Sequence, residues 1–328
     1  MAKPQLTILT DPLPWGNELL HEGARRIYRW LRTRLNLNKE YFRHNLYRGH
    51  VAVTRSLLEG LKHTDVKFNY NPTFPWDLAN TVIVLAGVRT LRQAILLKRA
   101  GKIRKLYAGP NIVVFSSEHD SILAEREVDA AITPCNWVID VYLEDNPSLK
   151  ERIFSWPAGV DIDYWVPNPL VKRDSILIFE KQNKGPVGPI DPYVDYLRAL
   201  GWKVQIIKYG SFTHNQYLAY LQESCLMLGF VVCESQGLAW AEAWSTDLPT
   251  LILKRTSNVL QGRLYKNSSA PYLCPENGLF FDDFEDFKKK FHYWESHRKQ
   301  FTPREWVIKN MSDEVCATKI LKNIDVFK

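Results

Sequence analysis

The feature that most limits how this chain folds is a rhythm. Short runs of apolar and β-branched residues recur along its 328 residues, each followed by a longer amphipathic stretch. LTILT, VKFNYN, NTVIVLAG, VDAAITP, SILIFEK, WKVQIIKYG, LMLGFVV and LPTLIL read as strands, and IRKLYAG and NIVVFSS as strand or loop. Residues 49–61 (GHVAVTRSLLEGL), RTLRQAILLKRAG, CNWVIDVYLEDN, residues 193–200 and THNQYLAYLQES carry their apolar positions at helical spacing. Strands alternating with helices predict an α/β fold with parallel sheets. The GPN of residues 109–111 predicts a tight turn ahead of NIVVFSS.

The length suits two domains. The proline-rich stretch 157–169 is the natural boundary, which gives a first domain over 1–165 and a second over 166–305. Apolar residues make up 45% and charged residues 24%, so the chain is neither disordered nor fibrous. Its longest apolar run, TVIVLAGV, falls far short of the ~18 residues of a spanning helix, and MAKPQLTILTDPLP lacks the pattern of a signal peptide. The five cysteines are odd in number and have no zinc or redox spacing, so a reduced, cytoplasmic setting is expected. A net charge of +7 suits a polyanion, an anionic membrane face or a phosphorylated ligand. Arg25, Arg26, Arg29, Arg32 and Arg34 share residues 22–48 with Tyr28, Trp30, Leu31, Tyr41 and Phe42. That segment reads either as a helix lying on an anionic membrane or as a basic surface helix whose aromatics pack on the sheet. No G-x-G-x-x-G and no nucleic-acid-binding motif occurs, which disfavours a dehydrogenase and a nucleic-acid partner.

The most informative stretch is CESQGLAWAEAW, residues 233–244. Glu234 stands where a buried strand ends, Ser235, Gln236 and Gly237 form a turn, and a helix starts near Leu238 with Glu242 in its opening turns. A helix N-terminus presents unbonded amides and a positive dipole end, and Gly237 lets a phosphate approach the backbone. Two carboxylates would repel that phosphate, so they suit hydroxyl groups. A phosphate flanked by hydroxyl-bearing rings describes a nucleotide sugar.

This stretch resembles the Glu-x7-Glu signature of retaining GT-B glycosyltransferases, family 4 in particular. Glu234, Gly237, Leu238, Glu242, Ala243 and Pro249 match, and Asp247-Leu248 stands in place of the family's Gly. The resemblance implies two Rossmann-like domains facing across a cleft, with residues 306–328 as a C-terminal helix crossing back to the first. It implies that Glu234 holds the transferred sugar and Glu242 the ribose, with the amides of Gly237 and Leu238 on the diphosphate. Ser235 and Gln236 complete the donor turn. Lys181 and Lys184-Gly185, after SILIFE, correspond to the family's diphosphate-binding basic residues, Lys184 being the better match. His119 corresponds to a donor-sugar contact, Tyr209-Gly210-Ser211 to a base contact, and Gly16 or Gly49 to the glycine loop facing phosphate or acceptor. Gly159-Val160-Asp161 matches a turn at the domain junction, so Asp161 and Asp163 are not read as a metal motif. The implied activity is transfer of a hexose-type sugar from a nucleoside diphosphate to a saccharide or glycolipid hydroxyl with retention, without a divalent metal. A sugar-nucleotide epimerase or phosphorylase on the same fold and a non-enzymatic basic binding protein stand as alternatives.

Overall fold

The structure is a computed structural model describing residues 3–13, 15, 49–182 and 185–324. Gly16, Lys184 and the basic segment 22–48 lie outside the described residues. The chain divides into two compact units, 1–156 with 316–328, and 157–315.

The first unit is a six-stranded sheet in the order β2-β1-β3-β4-β5-β6, every neighbouring pair parallel. Its strands are β1 (Leu6–Thr10), β2 (Phe68–Tyr70), β3 (Thr81–Ala86), β4 (Lys105–Asn111), β5 (Ala130–Thr133) and β6 (Ile153–Ser155). Helices α1 (His50–Leu61), α2 (Val88–Arg99) and α3 (Asn136–Asp145) connect them. All five residues of β1 are buried, the signature of a strand covered on both faces. Residues 109–111 form no turn but complete β4. A Cβ on Gly109, whose φ is +126°, would lie 2.0 Å from the Ile132 carbonyl oxygen. The glycine is there to admit the neighbouring strand, not to reverse the chain.

The second unit holds a five-stranded parallel sheet in the order β13-β10-β9-β7-β8. The strands are β7 (Ser175–Lys181), β8 (Lys203–Lys208), β9 (Ser224–Val231), β10 (Thr250–Leu253) and β13 (Gly278–Phe281). Its helices are α4 (Asp191–Ala199), α5 (His214–Glu223), α6 (Leu238–Ser245), α7 (Phe284–His297) and α8 (Pro303–Asn310), and α9 (Asp313–Asn323) begins here. A two-stranded antiparallel ribbon, β11 (Ser257–Leu260) and β12 (Arg263–Lys266), follows β10.

Side-chain alternation along the strands divides two aromatic layers. Phe179 of β7 meets Trp240 at 5.3 Å and Tyr217 at 6.0 Å. Phe230 of β9 meets Tyr193 at 4.9 Å, and Tyr193 meets Phe287 at 5.1 Å. The first layer fixes α5 and α6, the second α4 and α7.

The boundary lies at Trp156/Pro157 rather than after residue 165. Residues 157–165 pack with the second unit because their backbone and rings find partners there. The Val160 amide donates to the Met311 carbonyl at 2.8 Å, and Trp165 lies 5.6 Å from Tyr217. Residues 306–315 also stay with the second unit, where Trp306 meets Trp244 edge-on at 5.5 Å. The chain re-enters the first unit at Cys316, whose carbonyl accepts the Trp156 indole N–H at 2.8 Å.

Trp240 lies against β9 only because Gly229 has no side chain: a Cβ there would stand 2.6 Å from Cη2 of the indole. Gly229→Ala is expected to lower unfolding free energy by about 2 kcal/mol, measured by urea denaturation, with far-ultraviolet circular dichroism unchanged.

Candidate functional site

The second sheet reverses its winding between β7 and β9. The chain runs outward from β7 to β8, then returns past β7 to lay down β9, β10 and β13 on the other side. Connections leaving the carboxyl ends of two such strands diverge to opposite faces and open a crevice, where ligands of doubly wound sheets bind. Lys181 ends β7 in register with Val231, which ends β9. Three residues on, Glu234 accepts an ion pair from Lys181 Nζ, and the two side chains are only 12% and 13% exposed. The same ammonium sits 4.5 Å above the Tyr209 ring. Tyr209 follows β8 and its amide donates to the Glu180 carbonyl at 2.8 Å. Three adjacent strand ends therefore gather one cation, one carboxylate and one aromatic face. Neither charge is well hydrated, so each depends on the other.

Two residues after the ribbon secure the Glu234 loop. The Glu234 amide donates to the Ser268 carbonyl at 2.8 Å, and Asn267 Nδ2 donates to the Val232 carbonyl at 3.1 Å. Gln236 accepts the Ala158 amide at 3.0 Å. Gln236 Nε2 and Asn267 Oδ1 are buried without a hydrogen-bond partner. Unpaired polar atoms are rare in protein interiors, and both flank the loop on which the sequence places the donor. Ser235, between Glu234 and Gln236 in sequence, is half-buried.

The helix that follows is open at its N-terminus. Gly237, φ +65°, is its N-cap and supplies no side-chain hydrogen bond. The first amides of α6, Leu238 and Ala239, have no carbonyl a turn below them. Helices α1, α3, α4 and α8 likewise have no side-chain hydrogen bond from the N-cap, while three others fill this place themselves. Asp11 accepts the Thr90 amide of α2 at 3.2 Å, Thr213 and Gln216 form a capping box on α5, and Asp283 caps α7. At the far end of α6, Arg304 donates to the carbonyls of Ser245, Trp165 and Ile162, and Arg173 to those of Thr246 and Asp247. The guanidinium groups complement the negative end of the helix dipole and leave the positive end unanswered. Burial lowers the pKa of Arg173, with Asp247 opposing the shift. Along its length α6 is immobilised by the Trp240 indole, which donates to the Ser269 carbonyl at 3.0 Å, and by Tyr217 Oη, which donates to the Ala239 carbonyl at 2.8 Å.

Glu242 lies one turn above Leu238 on the same helix face and is half-buried. Its charge acts on Tyr164 and Tyr217, whose phenol pKa values are raised by burial first and by Glu242 second. The structure thus puts Glu234, Lys181 and Tyr209 in one cluster and Glu242 beside two tyrosines, with the open amides of α6 between them in sequence. Gly210, φ +90°, turns the chain after Tyr209. Asp161 accepts the amides of Asp163 and Tyr164 at 3.1 and 3.0 Å, so it stabilises a turn.

The remaining candidates belong to the first unit. His119 is exposed and begins three successive residues, His119, Asp120 and Ser121, with φ of 55°, 61° and 56°. Left-handed conformations at residues other than glycine cost roughly 1–2 kcal/mol each, a strain that gathers at functional positions. Gly49 caps α1 with φ 53° and ψ −119°, a conformation open to glycine, and nothing lies within 4 Å of its missing Cβ.

Sequence reasoning missed the ribbon and the Asn267-Ser268 pair that follows it. The signal was present in Gln261-Gly262, both at positive φ, which make the tight turn between β11 and β12.

The sequence matches no known family profile and no curated protein. Solved structures do resemble it. A sucrose-phosphate synthase from Thermosynechococcus elongatus aligns over 98% of both chains at 10% identity with a TM-score of 0.51. The lipopolysaccharide outer core galactosyltransferase WaaB aligns over 97% of this chain and 99% of its own at 12% identity and a TM-score of 0.48. TarM aligns over 74% of this chain at 13% identity and a TM-score of 0.48, this chain spanning about half, 55%, of the TarM structure. The likeness is one of fold. The fold is of the GT-B class, with two Rossmann-like domains, as expected from the resemblance of residues 234–252.

Lys181→Met is expected to destabilise the protein by about 2 kcal/mol, because it removes the buried cation that pairs with the poorly hydrated Glu234 carboxylate. The double variant Lys181→Met/Glu234→Gln should recover most of that loss. Urea unfolding of the four proteins in a double-mutant cycle measures it.

Proposed function

We propose that the protein is a glycosyltransferase that moves a sugar from a nucleoside-diphosphate donor to a hydroxyl of a saccharide or glycolipid, with retention at the anomeric carbon. One observation carries the reading: the N-terminus of α6 is left without a side-chain cap while its C-terminus is clamped by two arginines, and the carboxylates of the Glu-x7-Glu pair lie on either side of it in sequence. The diphosphate docks on the amides of Leu238 and Ala239. Lys181, and Lys184 beyond the described residues, oppose its negative charge. Glu242 takes the ribose hydroxyls, and Gln236 and Ser235 line the turn.

Binding changes the partner of Lys181. In the free protein its ammonium pairs with Glu234. A diphosphate carries more negative charge than one carboxylate and draws the lysine toward it. Glu234 is then released to accept hydrogen bonds from the sugar, and the cation stands where charge develops on the leaving group. In the reaction the bond from the anomeric carbon to the diphosphate oxygen breaks, and the acceptor oxygen bonds that carbon on the same face. The acceptor proton passes to the departing phosphate oxygen, so the step uses no protein base. Lysines and helix amides supply the positive potential that a divalent cation provides in other transferases, so no metal is required. His119 is assigned to the donor sugar, and Gly16 or Gly49 to the donor phosphate or the acceptor.

The test is a thermal-shift screen against UDP, GDP, ADP and their sugars. At least one nucleotide is expected to stabilise the protein, and Glu242→Ala should abolish that shift. Glu234→Gln should reduce kcat by roughly a hundredfold with a smaller change in KM. Proton NMR of the first-formed product should show the donor's anomeric configuration. An inverted product, or a product formed without acceptor, would overturn the reading.

A further inference from the structure

The loop between β2 and β3 holds two aromatic rings out of the fold. Phe74 is 46% and Trp76 73% exposed, and the rings stack with centroids 4.5 Å apart and planes 8° from parallel. A tryptophan this open is unusual, because burying it would remove on the order of 200 Å² of surface from water. Flexibility does not explain it. Pro72 and Pro75 stiffen the loop, and Pro75–Asp77 forms a single 3-10 turn. Asn69 Nδ2 donates to the Asp77 carbonyl at 2.8 Å, and Asn69 is held by the Thr7 hydroxyl of β1 at 2.6 Å. The sheet itself thus presents the plate.

We propose that Phe74 and Trp76 form a stacking platform for a sugar ring of the acceptor. This rests on the transferase reading and narrows its acceptor to a saccharide. A pyranose whose hydroxyls are equatorial shows a flat face of C–H groups, and those weakly positive hydrogens complement the negative face of an indole. One exposed indole face matches one such ring in size. The exposed Thr73 and Asp77 flank the plate and offer hydroxyl and carboxylate groups to the sugar's rim. Two other occupants fit less well. An anionic membrane wants cations, yet residues 71–80 contain one Asp and no Lys or Arg. A protein partner wants roughly 800 Å² per side, several times what two rings offer.

The experiment is saturation-transfer NMR on the intact protein with short neutral oligosaccharides of glucose, galactose, mannose and N-acetylglucosamine. At least one series should receive saturation, concentrated on the C–H protons of one ring face. Trp76→Ala should weaken that binding about tenfold or more, and Trp76→Tyr should restore part of it. The nucleotide-induced thermal shift of Trp76→Ala should match that of the unaltered protein, which shows that the variant is folded. Glu242→Ala should lose the nucleotide response and keep the saccharide signal. The platform is overturned if no oligosaccharide binds, or if Trp76→Ala binds them undiminished. It is overturned equally if Trp76 instead governs sedimentation with phosphatidylcholine–phosphatidylglycerol vesicles. Saccharide binding at Trp76 without any nucleotide response would sink the donor reading and leave the platform standing.

Discussion

Trp240 packed against Gly229 of β9 is the contact on which the candidate site depends. The indole has room because position 229 carries no side chain, and its N–H is satisfied by the Ser269 carbonyl. Its ring seals the layer containing Phe179 and Tyr217. With its core face fixed in this way, α6 presents its first amides in one orientation, and Gly237 has the positive φ that lets the chain enter the helix there. A helix N-terminus binds an anion well only if the helix does not move in response. Here burial, not a cap, supplies the rigidity.

The two sheets use the same architectural position in opposite ways. In the first unit the winding reverses between β1 and β3, and the protein's own Asp11 carboxylate occupies the helix N-terminus there. A Cβ on Gly87 would stand 2.2 Å from that carboxylate, so the place is filled. In the second unit the corresponding helix, α6, carries no acidic residue in its first turn. Lys181, at the end of β7, holds the Glu234 carboxylate. The first crevice holds a carboxylate at its helix N-terminus, while in the second the helix begins at Gly237, which has no side chain to cap it. Charge arrangement, rather than fold, distinguishes the two crevices.

Much of this was legible from residues alone. Continuous apolar runs such as LTILT and LMLGFVV could be nothing but strands buried on both faces, and β1 and β9 are. The start of α6 at Leu238 followed from Gly237 and the apolar spacing after it. The limits were physical as well. Gly109 looked like a turn residue, since glycine and proline punctuate chains, yet here glycine makes space for a neighbouring backbone that only the folded sheet brings near. The prolines after Trp156 marked a junction without fixing its edge. The edge is set by the hydrogen bonds of Val160 with Met311 and Asp313, which are remote from it in sequence.

By itself the sequence determined the alternation of strands and helices, the parallel sheets and the chemical identity of residues 233–244, because all three are written in short-range periodicity and local residue type. Tertiary structure alone decided that Lys181 pairs with Glu234 across 53 residues, that Arg173 and Arg304 neutralise the far end of α6, and that Phe74 and Trp76 stand in solvent. Those outcomes depend on which strand ends become neighbours and which surfaces are left over. Strand order is a property of the whole sheet, and no window of sequence contains it.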